Sequence, residues 1–159
     1  MATWAELAAS SPGLADNAER LFRAFTLAFL ATVRPDGGPR VHPVTITVHD
    51  GGLYVFLVHG TPKRGDLLRD PRYALHSFPS FPGGTVDSYV DDEVVLFGTA
   101  RRVDDPSRRA DVAEAHNDTV HERDLLFELE VDRAQHKTRR DGKAVYTRWP
   151  DGTSRPSGV

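Results

Sequence analysis

Two glycine-rich turns only eleven residues apart, Arg34-Pro35-Asp36-Gly37-Gly38-Pro39 and Asp50-Gly51-Gly52, limit this chain more than anything else in it. Pro35 fixes φ, while Gly37 and Gly38 accept the positive φ that other residues resist, so the chain must double back. Residues 27–33 before the first turn are largely apolar, residues 41–48 after it are dense in β-branched side chains, and residues 53–58 follow the second. Three consecutive antiparallel strands are therefore expected. In the middle one, Val44, Ile46 and Val48 share one face, and Thr45, Thr47 and His49 share the other.

The rest of the chain extends this pattern. Leu14, Ala18, Leu21, Phe22 and Phe25 recur at helical spacing, with Asp16 the expected cap. Thr61 and Pro62 suit the N-cap and first position of a short helix over residues 62–69, which Asp70-Pro71 ends. Strands are expected over 73–78, 93–103, 125–133 and 144–149, with a loop over 79–84 and a second helix from Asp105-Pro106 to about Val120. Residues 151–159 are polar, with Gly and Pro, and read as a loose tail behind one domain spanning residues 1–150. Six or seven strands broken by two helices do not alternate as a parallel α/β sheet would, so a mainly β barrel or sandwich is expected. No internal repeat or low-complexity segment argues otherwise.

Composition excludes several functions. There is no cysteine, hence no disulfide, thiolate metal site or cysteine nucleophile. A net charge of −3 gives no field to attract nucleic acid, and no targeting segment or long apolar run points to export or a membrane, so a cytoplasmic protein is expected. The seven histidines, His42, His49, His59, His76, His116, His121 and His136, form no strong metal pattern, and no metal site is expected. Arg139, Arg140 and Lys143 surround Asp141 as a solvated turn would, and Asp91, Asp92 and Glu93 read as a solvated strand edge. Dinucleotide, Walker and Gly-x-Ser-x-Gly signatures are missing.

What remains is Gly60-Thr61-Pro62-Lys63-Arg64, which puts a hydroxyl, two cations and free N–H groups at a helix start after a strand. The unpaired amides and the helix dipole favour an anion there, and Lys63 or Arg64 adds charge-assisted hydrogen bonds. From about Phe22 to Trp149 the chain resembles the pyridoxamine 5'-phosphate oxidase-like split-barrel family, which includes flavin and deazaflavin oxidoreductases. The resemblance is carried by Phe29-Leu30-Ala31-Thr32-Val33-Arg34-Pro35-Asp36-Gly37, by Pro39-Arg40-Val41-His42-Pro43-Val44 and by residues 61–72. Tyr73-Ala74-Leu75-His76-Ser77 and Leu96-Phe97-Gly98-Thr99-Ala100 are also similar to family strands.

The resemblance implies a six-stranded antiparallel split barrel, a homodimer, and a cofactor in the groove between subunits. The cofactor would be FMN or the deazaflavin coenzyme F-420; haem or a tetrapyrrole, with His42, His59 or His76 on an iron, is the carrier alternative, and an empty groove would mean a plain interaction domain. Thr61, Lys63 and Arg64 would hold the phosphate. Arg40, His42, Pro43, Val44 and Thr45 would line the ring, Phe56, Leu57 and Val58 would flank it, and Trp149 could stack on it across the interface. Hydride would pass to a small conjugated substrate, with His42 managing the proton. Where relatives carry a further basic residue and an asparagine, this chain has Gly65 and Asp66, so the Asp66 carboxylate must turn away from a phosphate. The Arg148-Trp149-Pro150-Asp151-Gly152 end lacks the arginine motif of true pyridoxamine phosphate oxidases, which disfavours vitamin synthesis. Apolar residues on both faces of strand 53–58 suggest that a partner subunit covers it.

Overall fold

In a computed structural model that describes residues 1–81 and 90–150, the turn chemistry places the strand ends. Strand β1 (Leu27–Val33) returns through the Gly37 turn as β2 (Pro39–His49), and Asp50 and Gly51, both at positive φ, send the chain back as β3 (Gly52–Leu57). Helix α3 (Pro62–Arg69) leads to β4 (Arg72–Ser77) and β5 (Glu93–Val103), then α4 (Pro106–Ala115), β6 (Leu125–Arg140) and β7 (Lys143–Trp149). All pairings are antiparallel in the order β3-β2-β1-β4-β5-β6-β7, and β3 also pairs with β6, from Tyr54↔Glu128 to Leu57↔Leu125. That last ladder closes six strands into a barrel and leaves β7 as an extra strand hairpinned onto β6. Closure pairs β3 on both sides instead of leaving it an edge strand.

Inward-facing Leu30, Val44, Ile46, Val55, Leu75, Leu96, Leu129 and Val131 fill the barrel. The same core takes in Trp4 and Leu7 of α1 (Trp4–Ser10), and Leu14, Ala18, Leu21 and Phe22 of α2 (Pro12–Phe25). The predicted leading helix is thus α2, but Asp16 lies within it; Ser11 is the N-cap and Pro12 occupies the first turn. Helix α1 was not expected. Its signal is a capping box: Glu6 N–H donates to Thr3 Oγ1 at 3.3 Å, and Thr3 N–H donates to Glu6 Oε2 at 2.7 Å.

Three further expectations need correction. Helix α4 stops at Ala115, short of Val120, where His116 leaves the helical conformation and its Nδ1 lies 2.6 Å from Thr47 Oγ1. Strand β3 needs no second subunit for its outer face, because Tyr54 and Phe56 pack with Val112 of α4. Asp91 and Asp92 are not a solvated edge: Lys137 and Arg139 bind Asp91 at 2.6 and 3.1 Å, while His136 and Arg20 bind Asp92 at 2.7 and 2.6 Å. The Asp141-Gly142 turn between β6 and β7 does lie where the basic cluster suggested, with both residues at positive φ. The loop expected over 79–84 falls partly, and the tail expected over 151–159 wholly, outside the described residues.

Gly98 fixes the β5–β6 register. The ladder shifts between Phe97 and Gly98, and a Cβ at Gly98 would lie 1.9 Å from the Glu130 carbonyl oxygen. Since backbone of a central ladder cannot retreat cheaply, Gly98→Ala is expected to destabilise the fold by about 3 kcal/mol. A urea midpoint unchanged from wild type would show that the bulge tolerates a side chain.

Candidate functional site

Strand β3 ends in a turn that presents the start of α3. Gly60 takes φ +80°, and both the Thr61 N–H and its hydroxyl donate to the Val58 carbonyl, at 3.3 and 2.8 Å. Thr61 is the N-cap by position, with extended backbone, but its hydroxyl is committed to Val58 and makes no bond to the helix. Pro62 has no N–H to offer, so the first turn presents the Lys63 amide beside the Lys63 side chain.

Lys63 is half-buried, and its ammonium makes no hydrogen bond or ion pair with any described residue. Burial pushes its pKa below the ordinary lysine value, with no carboxylate among the described residues to offset the loss of hydration. Arg64 is engaged elsewhere: one terminal nitrogen sits 2.7 Å from His59 Nδ1 and donates to the Arg123 carbonyl at 2.9 Å. That second bond, with the His59 N–H donating to buried Asp124 at 3.1 Å, fastens the turn to the segment before β6.

Asp66 does turn away from the helix start. Its carboxylate is buried between α3 and the barrel, where it accepts from Thr32 Oγ1 at 2.9 Å and Arg40 Nε at 2.7 Å. Arg69 adds weaker contacts at 3.4 Å. Burial works against the ionised carboxylate, but the bonds from Arg40 and Thr32 outweigh it and hold its pKa below the usual value. The result binds α3 to β1 and β2 and draws Arg40 onto the helix that carries Lys63.

Arg40 and His42 share one face of β2, the face that continues inward as Val44 and lies opposite Thr32 and Leu30 of β1. His42 is half-buried, and neither ring nitrogen has a hydrogen-bond partner among the described residues. Pro43 is exposed and Thr45 half-buried on the other face, while the Val44 side chain belongs to the core. On β3, Leu57 is also core and Phe56 packs edge-on against His116 at 5.0 Å, leaving Val58, 49% exposed, as the apolar side chain beside the helix entrance. Val44, Phe56 and Leu57 can therefore meet a ligand there through backbone alone.

Trp149 is remote. Its strand β7 pairs with β6 over Ala134–Arg140, beyond the Leu125–Glu128 stretch that pairs with β3, and its indole N–H donates to Ser10 Oγ of α1 at 2.8 Å. One chain brings together Arg40, His42, Val58, Thr61 and Lys63, but not Trp149. The role of Asp66 in aiming Arg40 was missed from sequence; only the chemical mismatch of an acid beside a phosphate site pointed to it. Among the described residues, no three histidine, cysteine or acidic side chains are grouped to hold a metal ion, and no helix is long and apolar enough to cross a membrane.

Comparison with known proteins places this architecture. Residues 14–138 match the family described as pyridoxamine 5'-phosphate oxidase. Among solved structures, a NimC/NimA family protein from Clostridium acetobutylicum superposes with a TM-score of 0.61 at 15% identity, over 86% of this chain and 92% of that one. The heme storage protein HutZ from Vibrio cholerae gives 0.58 at 15% identity, over 75% and 90%. A Clostridium acetobutylicum protein related to general stress protein 26 of B. subtilis, of the pyridoxinephosphate oxidase family, gives 0.56 at 11% identity, over 84% and 93%. At these identities the likeness is one of fold. No curated protein sequence matches the chain.

Proposed function

Because the chain belongs to the pyridoxamine 5'-phosphate oxidase family, we propose that it is an oxidoreductase that grips FMN or the deazaflavin coenzyme F-420 by the phosphate at the entrance of α3. The observation that carries this reading is Lys63: a half-buried ammonium beside a helix-start amide, neither with a partner among the described residues. A cation left so is stabilised by an anion from outside the chain. Arg40 reinforces it, since its Nε is spent on Asp66 while no described residue takes its terminal nitrogens. Asp66 neutralises part of this charge without facing the ligand. The carboxylate thereby orients the site rather than repelling a phosphate.

When bound, such a cofactor supplies the hydride chemistry. The chain's own groups have narrower tasks. Pro43, Val58 and the backbone from Arg40 to Thr45 position the ring edge, and His42, whose ring nitrogens have no partner among the described residues, gives or takes the proton that balances hydride transfer to a small conjugated substrate. A homodimer completes the groove on this reading. Phe29, Ala31, Val41, Pro43 and Ala74 spread across the outer faces of β1, β2 and β4, with Val41 58% exposed, and a second copy would both cover them and bring its Trp149 within reach.

The test is the absorption spectrum of protein purified from a host that makes both cofactors, with mass spectrometry of whatever is released and sedimentation of the same sample. FMN or deazaflavin bands on a dimer are expected. A Soret band would transfer the site to haem, with His42 as the free imidazole. Colourless protein that takes up neither cofactor would end the proposal.

A further inference from the structure

A second recess lies at the far end of the sheet, where β5, β6 and β7 run side by side. It encloses about 210 Å³ and is lined by residues of these strands, among them Phe97, Arg133, Gln135, Arg148 and Trp149, and by Pro150. That is room for one planar ring and too little for a tricyclic one, so it is not a second place for the cofactor.

Arg20, Arg34, Arg72, Arg101, Arg102 and Arg108 each lie against a carboxylate. Among the described residues, no carboxylate lies against Arg133 or Arg148. The Arg133 guanidinium lies over the Phe97 ring, 5.0 Å from its centroid, and makes no hydrogen bond with a described residue. Its neighbour Asp132 is turned to the Met1 amino group, 3.5 Å away. Arg148 lies over Tyr146 at 5.1 Å and gives only its Nε–H, to Gln135 Oε1 at 3.0 Å. The ladder sets Gln135 opposite Arg148 and Phe97 opposite Arg133, so both guanidiniums emerge on the same face, and no described residue takes their terminal N–H groups. Aromatic rings hold their planes while leaving the edges free, which is the arrangement that receives a carboxylate.

We propose that this recess binds a small planar carboxylate, an aromatic or α,β-unsaturated acid, with the acid group between Arg133 and Arg148 and the ring or double bond in the space that Phe97, Trp149 and Pro150 border. Its use rests on the oxidoreductase reading above, for which it names the substrate class: a conjugated acid whose anionic end is held away from the cofactor phosphate. The binding itself stands on the two arginines alone.

The chain has two tryptophans, and their indole N–H signals separate the question. Trp4 is buried and donates to Glu19 at 2.9 Å, so it reports the fold, while Trp149 borders the recess. Titration of the full chain with benzoate, followed by ¹H–¹⁵N correlation spectra, is expected to move the Trp149 indole and leave Trp4 in place. Benzamide, of the same shape without the charge, should move it little. Arg133→Gln and Arg148→Gln should each weaken benzoate by about tenfold, as loss of one charge-assisted bond requires. No movement of Trp149 at millimolar benzoate, equal movement with benzamide or inorganic phosphate, or undiminished affinity in both variants would overturn the assignment. Running the titration with and without FMN separates the two proposals. Flavin uptake without a Trp149 response removes only the recess, and a response in protein that takes up no flavin removes only the reaction it serves.

Discussion

Lys63→Ala is expected to release the cofactor, weakening retention by about 2–3 kcal/mol, or roughly thirty- to two-hundredfold in Kd. The magnitude follows from what the ammonium lacks at present. It is half-buried with its pKa pushed down by burial, so in the free protein it bears a hydration penalty that no carboxylate among the described residues offsets. A bound phosphate relieves that penalty and gains a charge-assisted bond, whereas alanine gives up both. Lys63→Arg, which keeps the charge but alters its reach, should lose less. Because the side chain bonds to none of the described residues, neither variant should lower the urea midpoint. Fluorescence titration of FMN checks the effect; unchanged affinity in Lys63→Ala would move the phosphate elsewhere, and equal loss of stability would make Lys63 a structural residue.

The two variants probe a site whose parts differ in how far they could be read from sequence. Turn chemistry is local, so β1, α3 and β5 begin and end where the glycines, prolines and Thr61 indicate. The capping box of α1 was equally local and was available in Thr3 and Glu6. Barrel closure was not, since β3 and β6 pair across about seventy residues and nothing in either strand names its partner. The same applies to the cover over β3. Two apolar faces require burial, but whether α4 or a second subunit provides it depends on where α4 docks, and His116 settles that by leaving the helix for Thr47. Charges were the least legible. Asp91 and Asp92 look solvated until His136, Lys137 and Arg139 at the far end of β6 reach them, and Arg64 looks available to a phosphate until His59 and the Arg123 carbonyl are found on it.

Asp66 lies at the limit of that legibility, and its removal should have the largest effect on the fold. Its carboxylate is buried and accepts from Thr32 and Arg40, so Asp66→Ala leaves a guanidinium and a hydroxyl without their acceptor under α3. Breaking such a pair costs about 3–5 kcal/mol, more than its formation contributes, because the remaining charge keeps its desolvation penalty. Asp66→Asn should lose less, since an amide oxygen can still accept one of the bonds. The loss must also depend on pH in one direction. Burial opposes the ionised form, yet the Arg40 and Thr32 bonds bring the folded pKa below that of the unfolded chain. The stabilisation is then whole above the unfolded aspartate value of about 3.9 and drains away as pH falls from there through the folded value. Urea midpoints of wild type and Asp66→Asn should accordingly lie far apart at pH 7 and converge towards pH 3. A gap that stays constant or widens as the pH falls would mean that the carboxylate is not held ionised by Arg40, and α3 would owe its position, and Lys63 its direction, to packing alone.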